Sequence, residues 1–161
     1  MQVFYIHPEN AQPRLIEQAA DLLRSDQLLI YPTDTSYAFG CRLGAKDALE
    51  KLKQIRALDD KHQFTLLCRD LSEIANYASV DNVQFKQLKA HTPAPITFIL
   101  NATKDVPKKL AHPKKKTIGI RVPSNPIAQA LLEAMDEPIL TSSLILPNRD
   151  DILDDPFEIE D

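Results

Sequence analysis

The sequence contains few of the glycines on which the common nucleotide-binding loops depend. Glycine occurs three times in 161 residues, at Gly40, Gly44 and Gly119. A P-loop and a dinucleotide-binding fingerprint each need several glycines at fixed spacing, so neither loop is present. A nucleotide bound by this chain would therefore be held by side chains and strand-end amides.

Cysteines, clustered histidines and long apolar runs are also scarce. The two cysteines, Cys41 and Cys68, lie in apolar strand-like segments, and the four histidines lack metal-site spacing. We expect buried reduced thiols, no disulfide framework and no protein-held metal. No apolar run approaches the roughly 20 residues that span a bilayer, and residues 1–7 lack the features of a secretory signal. These absences predict a cytoplasmic protein without a membrane partner.

The formal charge of −4 is unevenly distributed along the chain. Residues 149–161 hold seven acidic residues and one basic residue, whereas residues 1–148 have a slight excess of basic ones. We predict one domain over residues 1–148, a length that buries roughly two-thirds of the unfolded surface. Residues 149–161 are predicted to form a flexible acidic tail.

Short apolar runs alternate with segments of helical periodicity. The apolar runs predict strands at residues 3–6, 28–31, 39–43, 64–68, 96–100, 117–122 and 138–146. Helical spacing predicts helices that begin after Asn10 and after Asn125, and others at residues 46–58, 71–78, 81–91 and 106–111. The alternation indicates an α/β fold with a mixed or parallel sheet and helices packed on it.

A polar loop, PTDTSYAFG at residues 32–40, directly follows a predicted buried strand. In open sheets, ligands lie beyond the carboxyl ends of strands, so we expect this loop to form one wall of a site. Its three hydroxyls and its carboxylate, Asp34, suit a polar, amine-bearing ligand. An ordinary Ser/Thr turn would explain the same residues.

Basic residues gather in two further places. Arg56 and Lys61 flank the start of a predicted strand, where they suit phosphate or carboxylate. Cations near a helix C-terminus are also favourable for purely structural reasons. The stretch before Arg121 holds five lysines in nine positions, a stripe that would attract polyanions by counterion release. Its members are Lys108, Lys109, Lys114, Lys115 and Lys116.

Hydroxyl side chains also occur inside apolar strand-like segments. Thr97 lies in PAPITFIL, and three consecutive hydroxyl residues begin TSSLIL at Thr141. Buried hydroxyls need hydrogen-bond partners, which either the backbone or a bound ligand can supply.

Five separated segments occur in a specific order: PTDTSYAFG, KQIR, PAPITFIL, TIGIRVPSNP and TSSLIL. This order resembles the YrdC/YciO family over nearly all of residues 1–148. FTLLCRDLSE and IGIRVPSNPIAQALLEA are most similar to the YciO branch. The resemblance implies a YrdC-like twisted open mixed sheet with flanking helices and a basic concave cavity.

The resemblance also implies a class of function. The better-known branch makes threonylcarbamoyl-AMP from L-threonine, bicarbonate and ATP, for the modification of a tRNA adenosine. Family members are also described as binding double-stranded RNA. ATP would then be a substrate that brings Mg²⁺, and no tightly bound cofactor is expected. The sequence leaves open a nucleotidyltransferase, a non-catalytic double-stranded RNA-binding protein and an inactive scaffold for modification enzymes.

Motif matching to the family implies roles for individual residues. The catalytic cations would be Arg56, Lys61 and Arg121. The substrate-binding hydroxyls would be Thr33, Thr97 and Ser143. The lysine stripe adds RNA-binding candidates at Lys114, Lys115 and Lys116. This interpretation requires the three catalytic cations to converge on one hollow beside Thr33.

Overall fold

The computed structural model describes residues 3–58 and 62–144, which form five helices and seven strands. The helices are α1 (Pro13–Arg24), α2 (Lys46–Arg56), α3 (Leu71–Tyr77), α4 (Asn82–His91) and α5 (Pro126–Met135). The strands are β1 (Leu29–Pro32), β2 (Tyr37–Arg42), β3 (Thr65–Leu67), β4 (Ala78–Ser79), β5 (Phe98–Ala102), β6 (Thr117–Arg121) and β7 (Ile139–Ser143).

All seven strands join one open sheet in the order β1-β2-β7-β3-β6-β5-β4. Only β3 and β6 pair in parallel within this sheet, and its other neighbouring strands are antiparallel. The prediction of an α/β fold with a mixed sheet is therefore confirmed. Strand β7, the last of the described strands in chain order, lies between β2 and β3, so the segments on either side of it come from distant parts of the chain.

Helices cover both faces of the sheet because successive strand residues point to opposite sides. Helices α1 and α5 pack on one face around Leu23, Leu67, Leu131 and Ile139. Helices α2, α3 and α4 cover the other, where the buried residues include Leu49, Leu66, Ile74, Leu88 and Ile118. Each fully buried side chain of this size stabilises the fold by about 1.5–3 kcal/mol.

Side-chain caps fix the beginnings of α4 and α5. Asp81 accepts a hydrogen bond from the Gln84 amide at 2.7 Å, and the Gln84 side chain accepts one from the Asp81 amide at 3.1 Å. Asn125 Oδ1 accepts from the amides of Ile127 and Ala128 at 2.9 and 3.1 Å. Both caps agree with the predicted starts, because each cap is specified by residues within one helical turn.

Other predicted elements are wrong. Residues 3–6 are not a strand, and α1 begins at Pro13 after Gln12, so Asn10 does not cap it. Pro13 suits the first helical position, because the amide hydrogen that proline lacks would have no partner within the helix there. Residues 106–111 form turns rather than a helix, because a single isolated turn does not offset the cost of helix nucleation.

The predicted boundary at residue 148 and the acidic segment 149–161 lie outside the described residues. The division into a domain and a tail therefore stays a prediction. None of the described helices is long and apolar enough to cross a membrane.

Candidate ligand-binding site

A cavity of about 240 Å³ lies over the centre of the sheet, where strand ends and loops meet. Its lining includes residues of the neighbouring strands β2, β3, β6 and β7. Two arginines, Arg56 and Arg121, contribute to the lining. The remaining polar wall is rich in hydroxyl groups, which come from Thr33, Thr35, Ser36, Thr65, Thr97, Thr141, Ser142 and Ser143.

At two glycines of the central strands, neighbouring atoms occupy the space that a Cβ would need. A Cβ at Gly119 would lie 2.5 Å from the Thr65 hydroxyl and 3.1 Å from the Phe64 carbonyl oxygen. A Cβ at Gly40 would lie 2.6 Å from the ring of Tyr31. Glycine is required here for close packing, and it lets the Thr65 side chain line the cavity.

The Tyr31 ring packs against Gly40 and contacts the cavity lining through its hydroxyl. Its hydroxyl donates to Thr141 Oγ1 at 2.5 Å, and Thr141 lines the cavity. Burial raises the pKa of Tyr31, so the phenol stays protonated and remains a donor. This hydrogen bond orients Thr141 from the side of the core.

Arg56 is the last residue of α2, where a cation interacts favourably with the helix dipole. Its guanidinium donates from Nη1 to the hydroxyl of Ser142 on β7. Burial lowers the pKa of Arg56 from its ordinary value, but an arginine remains charged near neutral pH. A fixed positive charge is therefore held at the cavity wall.

Arg121 is the last residue of β6, and its guanidinium has an N–H group that is not engaged in a hydrogen bond within the described part of the chain. Its Nη2 donates to Thr35 Oγ1 at 3.3 Å. Its Nε is buried and has no hydrogen-bond partner among the described residues. A buried donor without a partner is costly, and an anion in the cavity would satisfy it with a charge-assisted hydrogen bond.

The loop after β1 is both a turn and a wall of the cavity. Thr33 Oγ1 donates to the Ser36 carbonyl oxygen at 2.7 Å, which is the expected Ser/Thr turn. Thr33 also lines the cavity. The Asp34 carboxylate, which the sequence suggested for an amine-bearing ligand, instead accepts hydrogen bonds from the amides of Ser124 and Asn125.

The structure brings most of the predicted site residues together. Five of the predicted residues line this same cavity: Arg56, Arg121, Thr33, Thr97 and Ser143. Lys61 lies outside the described residues, so its predicted convergence on this cavity stays a prediction. The RNA-binding candidates lie elsewhere, in an exposed turn between β5 and β6, and they are Lys114, Lys115 and Lys116. The chemical roles assigned to all these residues remain predictions.

Three lining residues around the start of β3 were missed by the sequence analysis: His62, Gln63 and Thr65. The His62 ring packs edge-on against Phe64, with ring centroids 4.9 Å apart. The Gln63 amide hydrogen-bonds both the side chain and the backbone of Thr117 on β6. For Thr65, the available signal in the sequence was a hydroxyl residue directly before two leucines in the predicted strand 64–68. In the described part of the chain, no three His, Cys, Asp or Glu side chains are grouped so that they could hold a metal ion.

Comparison with protein families establishes the kinship of the chain. A family model described as "Telomere recombination", which covers Sua5, YciO and YrdC, matches residues 21–161. The chain belongs to the Sua5/YciO/YrdC family. The resemblance predicted from five sequence segments is thereby confirmed.

Among members of the Sua5/YciO/YrdC family, YciO of Escherichia coli (strain K12) is very similar to this chain. The two sequences are 55% identical over 160 residues, which is 99% of this chain and 78% of that protein. The crystal structure of E. coli YciO superposes with a TM-score of 0.94 and covers 99% of this chain and 77% of that one. The predicted likeness to the YciO branch is confirmed, although E. coli YciO is itself described only as uncharacterized.

More distant members of the Sua5/YciO/YrdC family carry a described activity. The threonylcarbamoyl-AMP synthase of Nitrosococcus oceani is 26% identical over 129 residues, 80% of this chain and 69% of the synthase. The crystal structure of P. abyssi Sua5 complexed with L-threonine has a TM-score of 0.77 at 23% identity, over 84% of this chain and 40% of Sua5. The chain is thus related at low identity to threonylcarbamoyl-AMP synthases, and the predicted YrdC-like fold is confirmed.

Proposed function

We propose that this protein uses ATP to activate the carbamate of L-threonine, giving threonylcarbamoyl-AMP for tRNA modification. The observation that carries the proposal is the position of Arg56 and Arg121, distant in sequence, on one hydroxyl-rich cavity. Kinship with threonylcarbamoyl-AMP synthases and with a Sua5 complexed with L-threonine supports the choice of substrate.

The reaction has two steps. The neutral amine of threonine attacks CO2 supplied by bicarbonate, forms an N–C bond and loses a proton, which gives a carbamate. A carbamate oxygen then attacks the α-phosphorus of ATP. The bond from that phosphorus to the oxygen bridging to the β-phosphate breaks, and pyrophosphate leaves. Mg²⁺ would arrive with ATP, bound mainly through phosphate oxygens and water.

The cavity residues would act by position and charge rather than by covalent catalysis. Arg56 and Arg121 would neutralise negative charge on phosphate and carboxylate groups, with Lys61 as the third cation that the family resemblance implies. Arg56 is already oriented by Ser142, so little reorganisation is needed when the ligand binds. The hydroxyls of Thr33, Thr97 and Ser143 would hydrogen-bond the substrates.

The decisive experiment measures pyrophosphate release from ATP with threonine and bicarbonate added separately and together. Release should require both co-substrates, and Arg56→Ala should lower its rate on the order of 10²-fold. Arg14→Ala, which removes an exposed arginine on α1, is the matched control and should leave the rate unchanged. Release that is independent of threonine, or no binding of ATP in calorimetry, would contradict the proposal.

A second candidate function, binding of double-stranded RNA without catalysis, is favoured by the exposed lysines in the turns before β6. The segment that holds Lys114, Lys115 and Lys116 is exposed and does not line the cavity. Exposed lysines contact phosphates without reading sequence, so such binding would be salt-sensitive and sequence-independent.

The lysine candidates are tested by replacing all three with alanine. If each contacts one phosphate, the slope of log affinity against log salt should become shallower by about three units. The control replaces three exposed lysines elsewhere with alanine: Lys51, Lys86 and Lys89. It has the same net charge as the first triple variant and should retain more RNA affinity than that variant. Equal losses in both variants would show that the stripe is not a specific RNA surface.

A further inference from the structure

Asp34 is the acidic residue of the loop after β1, yet its carboxylate contacts the backbone of a different loop. Its Oδ2 accepts from the Ser124 amide at 2.9 Å, and its Oδ1 accepts from the Asn125 amide at 2.6 Å. A third, longer contact joins the Ser124 amide to Oδ1 at 3.1 Å. Both carboxylate oxygens are therefore engaged, and Asp34 does not line the cavity.

The two loops that Asp34 joins both supply residues to the candidate site. One carries Thr33 and Thr35, and the other follows Arg121 directly. The remaining contacts between these loops are weaker. Arg121 Nη2 donates to Thr35 Oγ1 at 3.3 Å, and Asn125 Nδ2 donates to the Thr33 carbonyl oxygen at 3.4 Å. The contact from Arg121 is charge-assisted but long, and the contact from Asn125 is both neutral and long. The carboxylate hydrogen bonds are short as well as charge-assisted, so they dominate this junction.

The position of Arg121 depends on this junction. The only hydrogen bond of its side chain within the described residues reaches Thr35, on the far side of the junction, and its Nε has no partner there. The Asp34 charge also lies beside the first residues of α5, where the helix dipole favours an anion. One carboxylate thus holds the hydroxyl loop and the arginine strand end at a fixed separation.

We propose that Asp34 is a positioning residue that sets the distance between the Thr33–Thr35 hydroxyls and the Arg121 guanidinium. It thereby shapes the anion-binding part of the cavity without contacting the ligand. The identity of that ligand rests on the proposed function, whereas the coupling between the loops does not.

The first test needs no ligand. In NMR spectra of the full chain, Asp34→Ala should shift the Arg121 Nε–H resonance and increase amide exchange at Ser124 and Asn125 about 10-fold or more. Asp34→Asn retains one acceptor oxygen and should change both signals less.

The control for this test is Asp81→Ala, because Asp81 also accepts a hydrogen bond from a backbone amide, at the start of α4. It should lower the melting temperature by about 2–4 °C but leave the Arg121 resonance unchanged. An unmoved Arg121 resonance in both Asp34 variants would overturn the proposal.

The second test measures calorimetric affinity for inorganic pyrophosphate, well below the melting temperature of every variant. Asp34→Ala should weaken binding on the order of 10-fold, with Asp34→Asn between it and the wild type. In an Arg121→Ala background the same change should cause little further loss, because the two residues act as one unit. Full additivity would overturn the proposal. If the wild-type chain binds neither pyrophosphate nor ATP, the proposed function fails while the NMR measurement still decides the role of Asp34.

Discussion

At the scale of single residues, the hydrogen bond between Tyr31 and Thr141 links the core to the cavity. Tyr31 is 2% exposed and Thr141 is 9% exposed, so both residues are largely shielded from bulk water. Removing one partner would leave the other hydroxyl without its hydrogen bond in a buried place. Removing both would leave an apolar contact of nearly the same shape.

We therefore predict that Tyr31→Phe lowers the free energy of unfolding by about 1–2 kcal/mol. Tyr31→Phe combined with Thr141→Val should cost less than the sum of the two single changes, because no hydroxyl is left without its partner. Urea unfolding of the three variants measures the difference. Strict additivity would show that the hydroxyls find other partners.

The site was only partly predictable at this scale because single residues serve two roles. Thr33 is a turn residue and also lines the cavity, so the Ser/Thr turn is confirmed, while the ligand-binding role of its loop stays a prediction. Arg56 and Arg121 were assigned through family resemblance, since charge alone does not distinguish a buried anion site from a solvated surface. The engagement of Asp34 with Ser124 and Asn125 could not be predicted, because it depends on which loops the sheet order brings together.

At the scale of elements, α3 contains a buried acid in its first turn. Glu73 accepts a hydrogen bond from the Arg69 amide at 2.8 Å, while Asp70 caps the Glu73 amide at 3.0 Å. Burial raises the pKa of Glu73, and the hydrogen bond from Arg69 and the charge of Arg69 oppose this only in part. The folded chain therefore holds this proton more tightly than the unfolded chain does.

This pKa direction predicts a pH dependence of stability. The contribution of Glu73 is fully present below its unfolded pKa and is lost as pH rises through the raised, folded value. Glu73→Gln keeps the acceptor oxygen but removes the titration. The stability of this variant relative to the wild type should therefore increase from about pH 4 to about pH 7.

Chemical denaturation across this pH range measures the effect in α3. Glu133→Gln, at an exposed position on α5, is the control and should follow the wild type. A Glu73→Gln stability difference that stays constant with pH, or falls, would contradict the direction of the shift.

The elements that sequence predicted well are those specified locally. The starts of α4 and α5 depend on Asp81 and Asn125, whose caps act within one turn. The two-residue strand β4 was missed because it exists only through its pairing with β5. Residues 106–111 were mistaken for a helix because Val106 and Leu110 are buried at helical spacing, although the chain there forms turns.

At the scale of the whole molecule, both cysteines report on the cooperativity of folding. Cys41 and Cys68 are fully buried in the same hydrophobic cluster, which spans the sheet and three helices. Burial raises the pKa of Cys41 to about 12 and also raises that of Cys68. A thiol reagent requires the exposed thiolate, so neither cysteine should react in the folded chain.

We predict that a thiol reagent at about pH 8 labels both cysteines at one common rate, set by opening of this cluster. The rate should be about 10³-fold or more below that of the denatured chain. Mass spectrometry of the two labelled peptides measures the rates separately. Rapid native labelling of one cysteine alone would show that its part of the sheet opens independently.

The place of β7 between β2 and β3 has a consequence for biosynthesis. When a ribosome makes this chain, two groups of strands are synthesised before β7: the pair β1–β2, and the group β3-β6-β5-β4. The edges of β2 and β3 stay unpaired until β7 inserts between them. Thr141 and Ser142, the partners of Tyr31 and Arg56, emerge with that same late strand. A stalled nascent chain would expose two open edges suited to aggregation. The β7 residues that line the cavity therefore join the sheet only after the β2 and β3 residues of the same cavity have been synthesised.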